Sequence, residues 1–384
     1  MRGPSLATLG MTVTGMAVLA ASSAPGAAAP PPPQYSVDPD WPKILPNNWI
    51  MGQVGGVAVD PQDHIWVLHR PRSLTTDELG AAQIPPRSGC CGNPPALLEF
   101  DTAGNLLKSW GGPGFVPDWP TNEHALWVDR GGNVWISGNG VDDRQVLKFT
   151  GDGRQLLEIG AKSRAPKNNQ DTGLLGRAAA IEVDDDAHEV YIADGYLNNR
   201  IVVYDSDTGH FKRGWGAYGR PLSDIANTVE QSDEVPAGGR IAPYAPGDPP
   251  DKQFRSPVHC VRLSVDGLVY ACDRHNDRIQ VFTKQGRFLR EITLRPATLG
   301  NGSAWSVAFS HDSAQTYLLV ADGENNVVWI LRRDDGTEVS SFGHNGRNAG
   351  QFHWVHQLAM DSSGDVYTGE VDSGKRMQKF MLAK

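Results

Sequence analysis

The stretch "CVRLSVDGLVYACDRHNDRIQVFTKQGRFLREI" (residues 260–292) decides the fold. Short runs of β-branched and aromatic residues alternate in it with Gly, Asp and Asn, the pattern of an antiparallel meander. Related phrases, each with an apolar run that ends in Asp or Ser and is followed by a turn, recur at 56–111, 125–160, 179–216, 306–343 and 357–382. One meander cannot bury both of its faces, whereas six packed radially in a closed ring can. We therefore predict an all-β fold, a six-bladed β-propeller.

Composition and charge limit the classes of function. The chain has 384 residues, 39% of them hydrophobic, with 43 glycines and 27 prolines, which is a globular composition rich in turn-forming residues. Its formal net charge is −9, whereas proteins that track phosphate backbones present a basic stripe. The sequence therefore argues against a nucleic-acid partner. It leaves the oligomeric state open.

The first residues have the pattern of a secretory signal. Arg2 supplies a positive charge, "MTVTGMAVLAA" an apolar stretch and "APGAAAP" small residues suited to cleavage. We expect a signal peptide at residues 1–29, a Pro-rich linker and lead-in segment at 30–52, and the propeller at 53–384. The mature protein is then expected to be secreted or periplasmic, with no integral membrane segment.

Four cysteines fit an oxidising compartment. If Val265–Gly267 make a turn, Cys260 faces Cys272 across a hairpin, either as a disulfide or as two small buried thiols. Cys90 and Cys91 are adjacent in a Gly- and Pro-rich loop, and no role is assigned to them.

Three histidines stand at the same phase of their repeats. His124, His259 and His356 each precede by five residues the Asp or Ser that ends the first strand of repeats two, four and six. The first strand of each blade lines the central channel, and alternate blades of a six-fold ring lie about 120° apart. We therefore expect the three imidazoles to meet on the axis. The six residues at this phase, called the axis positions below, are Gly55, His124, Ala179, His259, Trp305 and His356.

Three imidazoles with room for a fourth ligand resemble the ligand set of a catalytic zinc ion. The structural alternative is that the histidines only fill the channel. Around them, the second strands of repeats one, three and four end in "WVLHRPRS", "IADGYLNNR" and "ACDRHNDR". These phrases place Arg70, Tyr196 and Arg274 at the same rim. An arginine suits a carboxylate, and a tyrosine beside a cation can serve as a base.

With these residues the sequence resembles the peptidyl-α-hydroxyglycine α-amidating lyases, six-bladed propellers of NHL-type repeats, over about residues 53–380. The resemblance implies a zinc ion on His124, His259 and His356. It implies a substrate-orienting Arg70 in "HR", a catalytic Tyr196 in "DGYLNNRI" and an active-site Arg274 in "CDRHNDRIQ".

The sequence departs from that family at "WVHQ" (354–357). The family's motif there is Met-Pro-His-Asp, so Trp354 replaces the methionine that lines the substrate site, and we expect it to bind substrate. Gln357 replaces the carboxylate of a structural calcium site. Backbone carbonyls near Val54 and Leu126 remain as calcium ligands, but the loss of charge disfavours a hard cation.

We therefore expect an exported metal-dependent lyase that cleaves a hemiaminal C–N bond of a small-molecule or peptide substrate, giving an amide and glyoxylate. Tyr196 is the expected base, Arg70 the carboxylate ligand and Arg274 a support for developing charge. One alternative is a metal-dependent hydrolase or lyase that acts on another hydroxy acid, ester or lactone. The other is a non-enzymatic NHL-propeller binding module, since a propeller fold does not define a function.

Overall fold

The computed structural model describes Met1, Gly3 and residues 30–228 and 252–384. The expected signal peptide, residues 1–29, lies outside the described residues except at Met1 and Gly3. Residues 32–384 form one compact unit, and residues 1–31 form a separate one. Among the described residues, no helix is both long enough and apolar enough to span a bilayer.

The described residues of the larger unit form 24 strands, arranged in six four-stranded antiparallel sheets. The strands are β1 (Tyr35–Asp38), β2 (Gln53–Val59), β3 (Ile65–Arg70), β4 (Leu97–Phe100), β5 (Leu106–Trp110), β6 (Glu123–Val128), β7 (Val134–Gly138), β8 (Gln145–Phe149), β9 (Gln155–Gly160), β10 (Ala180–Asp184), β11 (Glu189–Asp194), β12 (Arg200–Asp205), β13 (Phe211–Trp215), β14 (Val258–Leu263), β15 (Leu268–Asp273), β16 (Arg278–Thr283), β17 (Phe288–Thr293), β18 (Ser306–Phe309), β19 (Tyr317–Asp322), β20 (Val327–Arg332), β21 (Glu338–Phe342), β22 (Val355–Met360), β23 (Val366–Glu370) and β24 (Met377–Leu382). The described residues also include six single-turn 3-10 helices: Pro46–Asn48, Pro71–Ser73, Gly80–Ala82, Ala217–Gly219, Leu222–Asp224 and Arg274–Asn276.

The six sheets are the blades of a closed ring. The first strands β2, β6, β10, β14, β18 and β22 contact one another in that cyclic order, and β22 returns to β2. Six clusters of buried apolar residues each combine side chains of two neighbouring blades. Each sheet therefore buries both faces against its neighbours, which is the reason a ring of six is stable when one meander is not. The predicted six-bladed propeller is confirmed.

The ring closes through a strand that the sequence analysis did not identify. Residues 30–52 were expected to form a linker and lead-in segment, but Tyr35–Asp38 pairs with β24 as the outermost strand of blade 6. The Tyr35 ring packs on Phe342 of blade 5, with 4.8 Å between ring centroids. The sixth repeat supplies only three strands, so the first strand of the unit completes the last blade.

Buried arginine–aspartate pairs hold the loops at the rim of two blades. Arg200 Nε donates to Asp194 at 2.8 Å, and Arg278 Nε donates to Asp273 at 2.7 Å; all four side chains are fully buried. Because a paired buried charge avoids the cost of isolated desolvation, these arginines have a structural role.

The cysteines occur in two pairs. Cys260 faces Cys272 in the β14–β15 ladder, as the predicted turn requires, and the two are joined as a disulfide. Cys90 and Cys91 are also joined.

β-bulges occur in several of the first strands at the axis positions and change the direction of the side chains there. The β2–β3 ladder shifts register at Gly55, and the β6–β7, β14–β15 and β22–β23 ladders shift where His124, His259 and His356 lie. A bulge adds one residue to a strand, bends it and turns a side chain away from strict alternation. The bulges therefore direct the histidine rings away from the sheet and into the channel.

Below the axis positions the channel is filled by side chains. Arg262 lies three residues beyond His259, about 10 Å further along the strand. Its guanidinium donates to the carbonyls of Val307 and Leu358 and to the Glu182 carboxylate, at 3.3 to 3.5 Å. The same group stacks 5.0 Å from the centre of the Trp127 ring. Arg262 of blade 4 thus contacts blades 2, 3, 5 and 6, and this layer forms the floor of the channel.

Candidate functional site

The three histidines predicted to meet do lie together. His124, His259 and His356 are fully or almost fully buried, and one ring nitrogen from each falls within 4.8 Å of the others. Their ring centroids are 4.7 to 5.2 Å apart, and the rings are nearly perpendicular to one another. Alternate blades therefore bring three imidazoles to one point on the ring axis.

The geometry of these imidazoles fits a tetrahedral divalent cation. His124 Nδ1 donates to the Ala179 carbonyl at 2.9 Å and His259 Nδ1 to the Trp305 carbonyl at 2.6 Å. Each bond fixes the tautomer in which Nε2 carries a free lone pair, as metal-ligating histidines require. The Nε2 atoms of His356 and His124 are 3.2 Å apart, close to the roughly 3.3 Å that separates two nitrogens on tetrahedral zinc.

The environment of the three rings favours the metal-binding protonation state. Burial lowers the pKa of His124, His259 and His356 well below the ordinary histidine value, and positively charged neighbours lower it further. Neutral imidazole is the form that ligates a metal. His356 Nδ1 is buried with no hydrogen-bond partner among the described residues, in contrast to the other two histidines.

Tyr196 reaches the same point from the loop after β11. Its hydroxyl donates to His124 Nε2 at 2.8 Å and lies 3.2 Å from His259 Nε2. Burial raises the pKa of this phenol, while the positive charges of Arg274 and Arg70 act against that rise. The loop is fixed below by the buried Arg200–Asp194 pair. The phenol oxygen is therefore held beside the candidate metal ligands.

Arg70 and Arg274 flank this phenol, as the sequence predicts. Arg70 Nε donates to the Glu123 carbonyl at 2.7 Å and Nη1 to Gln53 Oε1 at 2.6 Å. Among the described residues, Arg70 Nη2 has no hydrogen-bond partner. The Arg274 guanidinium stacks 4.4 Å from the centre of the Trp305 ring. Arg70 is thus held by two hydrogen bonds and Arg274 by contact with a ring, and both line the same cavity.

That cavity, of about 220 Å³, opens above His356. Its lining residues are Arg70, Asn139, Arg177, Tyr196, Ser256, Pro257, Arg274, Asn301, Trp305, His356, Val371 and Asp372. The sequence analysis missed Arg177, Asn139, Asn301 and Asp372 as site residues. Arg177 had a readable signal, since it stands two residues before the axis position Ala179.

The structure shows what Trp354 and Gln357, two residues of "WVHQ" that differ from the family motif, contact. Trp354, expected to bind substrate, is absent from the cavity lining; it packs on Trp305, which does line the cavity, with 5.6 Å between ring centroids. The Trp354 N–H donates to Asn326 Oδ1, which fixes the residue behind that ring. Gln357 Oε1 accepts a hydrogen bond from the Ser306 hydroxyl at 3.2 Å. The weakened calcium site remains a prediction.

A second group of potential metal ligands consists of Asp60, His64 and Glu99. Asp60 already accepts bonds from the Trp66 ring N–H and two backbone N–H groups. His64 Nδ1 lies 2.8 Å from Glu99. Since these contacts satisfy most of the oxygens, the group is accounted for by structural hydrogen bonds.

Comparisons with known proteins agree with the fold and the motifs. No protein-family model matches the chain. Peptidyl-glycine α-amidating monooxygenase B of Xenopus laevis is 26% identical over 87% of this chain and 34% of its own length. Peptidyl-α-hydroxyglycine α-amidating lyase 1 of Drosophila melanogaster is 26% identical over 89% of this chain and 58% of its own length. A streptogramin B lyase structure matches in fold alone, with a TM-score of 0.50, 14% identity and coverage of 92% of this chain and 98% of that one.

The chain is a homologue of the peptidyl-α-hydroxyglycine α-amidating lyases, and the resemblance predicted from its motifs is confirmed. It spans about a third of the length of the monooxygenases that it matches.

Proposed function

We propose that this homologue of the amidating lyases is itself an exported metal-dependent lyase that cleaves the C–N bond of a peptidyl-α-hydroxyglycine. The products are the peptide amide and glyoxylate. The observation that carries this proposal is the convergence of three histidines from alternate blades beside the Tyr196 phenol.

The metal in this proposal is zinc, held by Nε2 of His124, His259 and His356. Zinc held by these three histidines would supply Lewis acidity that lowers the pKa of a substrate hydroxyl. The fixed tautomers of His124 and His259 support this assignment.

Tyr196 is the proton carrier in the proposed reaction. Its phenolate oxygen accepts the proton of the α-hydroxyl group, and the electron pair left on that oxygen forms the new carbonyl. The C–N bond breaks, and the proton moves from Tyr196 to the departing amide nitrogen. The reaction is then balanced without any other reactant. Burial raises the pKa of this phenol, and the charges of Arg274 and Arg70, which act against that rise, would stabilise the phenolate in the proposed step.

Arg70 is the proposed ligand of the substrate carboxylate. Two of its nitrogens are held by Glu123 and Gln53, so the guanidinium cannot rotate freely and Nη2 remains for a ligand. A fixed guanidinium loses little entropy on binding a carboxylate, and it orients the adjacent carbon for bond cleavage.

The decisive experiment measures glyoxylate release from a peptidyl-α-hydroxyglycine by the zinc-loaded protein, with the Tyr196→Phe variant as the control. We expect release by the wild type and little by the variant. Absence of release by a wild type that retains its zinc would reject this substrate. Screening hydroxy acids, esters and lactones with the same pair would then identify another reaction.

Export is a further part of the proposal. It is supported by the signal-like pattern of residues 1–29 and by the paired cysteines, which are typical of oxidising compartments. Mass spectrometry of protein from the exported fraction tests it: we expect a mature N-terminus near residue 30. Full-length protein confined to the cytoplasm would reject export.

A further inference from the structure

The cavity carries more positive charge than one substrate carboxylate requires. Arg70, Arg177 and Arg274 line it, and among the described residues Asp372 is the only acidic one in the lining. Three cations and one anion give the described part of this lining a formal charge of +2, before any metal ion is counted.

Arg177 is the cation that the proposed reaction does not use. Its Nε is buried and has no hydrogen-bond partner among the described residues, and no carboxylate in the described chain lies within ion-pair distance of its guanidinium. Arg70 differs, since Glu123 and Asp372 both favour its charged form. Arg177 is only partly buried, so its guanidinium, which lines the cavity, is accessible for pairing with an anionic ligand.

Arg177 has an energetically unfavourable backbone conformation. Its φ is 62°, in the left-handed region that residues other than Gly and Asn seldom adopt. Its carbonyl accepts the Tyr196 N–H at 3.2 Å. Arg177 is therefore tied to the loop that carries the phenol, and it enters the cavity from blade 3 while Arg70 enters from blade 1.

We propose that the substrate carries a second carboxylate, in its acyl half, and that Arg177 binds it. The inference rests on the proposed function of the same cavity and narrows its substrate class. Arg70 binds the carboxylate next to the bond that breaks, and Arg177 binds the one on the amide side. Each of the two carboxylates then pairs with a different arginine of the lining.

The kinetic test compares two peptidyl-α-hydroxyglycines that differ only in having Glu or Gln before the hydroxyglycine. We expect the wild type to favour the Glu peptide about tenfold in kcat/KM, through KM, as one charge-assisted hydrogen bond would produce. Arg177→Asn, which suits the left-handed backbone, should remove the preference, and Arg177→Lys should keep most of it. The exposed-site control Arg154→Asn should leave it unchanged. Equal kcat/KM values in the wild type, or a preference that survives in R177N, would overturn the inference.

A binding test separates this inference from the proposed reaction. Titration calorimetry of the zinc-loaded protein compares glutarate with butyrate, which has one carboxylate fewer. We expect glutarate to bind about tenfold more tightly to the wild type, and R177N to lose that difference while keeping its zinc and thermal midpoint. Failure of both peptides to react would reject the lyase reaction but leave this measurement decisive. Equal glutarate affinity in wild type and R177N would overturn the role of Arg177.

Discussion

The hydroxyl of Tyr196 lies 2.8 Å from Nε2 of His124, although 72 residues separate the two in the chain. One residue belongs to the loop after β11 and the other to the bulged first strand of blade 2. Their contact joins the two parts of the candidate site, the imidazole cluster and the rim. Replacement of the histidines should therefore affect metal binding, whereas replacement of Tyr196 should affect turnover.

Removal of the imidazoles should abolish metal binding. We expect about one zinc ion per chain in the wild type and none in a variant with His124, His259 and His356 all replaced by Ala, because three nitrogen ligands supply most of the coordination shell. Elemental analysis measures this directly. Replacement of the exposed His188, His210 and His311 by Ala provides the control. Zinc retained by the axis variant would show that the metal lies elsewhere.

Removal of the Tyr196 hydroxyl should impair turnover and spare the metal. Tyr196→Phe keeps the ring and its packing but deletes the proposed proton carrier, so we expect kcat to fall by about 10²–10⁴. Zinc content and the thermal midpoint should stay at wild-type values. A variant with full activity would eliminate Tyr196 as the base.

The buried ion pair under the Tyr196 loop should be essential for stability. Arg200→Met leaves the Asp194 carboxylate buried without its cation, and we expect the free energy of unfolding to fall by about 3–5 kcal/mol. Denaturant titration measures the loss. Arg332→Met, at a partly exposed arginine with carboxylate neighbours, should leave stability close to that of the wild type. Equal losses in the two variants would contradict the structural role of Arg200.

The first strand should stabilise the ring although it lies outside the repeats. Deletion of residues 30–38 removes β1 from blade 6 and exposes Phe342, at a cost of roughly 2–4 kcal/mol. Deletion of residues 30–33 alone should have little effect, because it leaves β1 intact. Thermal midpoints of the two truncated proteins test this. If they coincide, β1 does not close the ring in solution.

Acid should weaken a specific ion pair on blade 3. Arg213 binds both oxygens of Glu189, at 2.7 and 2.5 Å, and this contact lowers the pKa of Glu189 to about 2. A lowered carboxyl pKa gives stability that is complete above the unfolded pKa, near 4.5, and is lost as the pH falls towards 2. Thermal midpoints from pH 6 to pH 3 should therefore fall more steeply for the wild type than for Glu189→Gln. The control Glu338→Gln, at a more exposed carboxyl, should follow the wild type; parallel curves for E189Q and wild type would contradict the assignment.

The repeats predicted the scaffold and the position of the histidines because both depend on local patterns. Each apolar run and turn could be read within about forty residues, and matched phase placed His124, His259 and His356 on one axis. The strand Tyr35–Asp38 escaped detection because four residues give little pattern and its partner β24 lies at the opposite end of the chain. The bulges also escaped, since they depend on the register between strands.

The rim was harder to predict than the axis. Arg70, Tyr196 and Arg274 could be placed at strand ends, whereas Arg177 lies before a strand and outside the recurring phrases. Trp354 was correctly placed near the site, but the direction of its side chain depends on a positive φ of 58° and on a bond to Asn326. Such orientations follow from tertiary contacts that no single-repeat pattern contains.

The layer formed by Arg262, Glu182 and Trp127 closes the central channel below the histidines. A substrate of the proposed reaction therefore reaches the histidines past the arginines at the rim, and its products leave by the same route. Two fragments formed at the bottom would have to depart in sequence, the one nearer the surface first. For the proposed reaction, we therefore expect product release through this one opening to limit turnover as much as cleavage of the bond does.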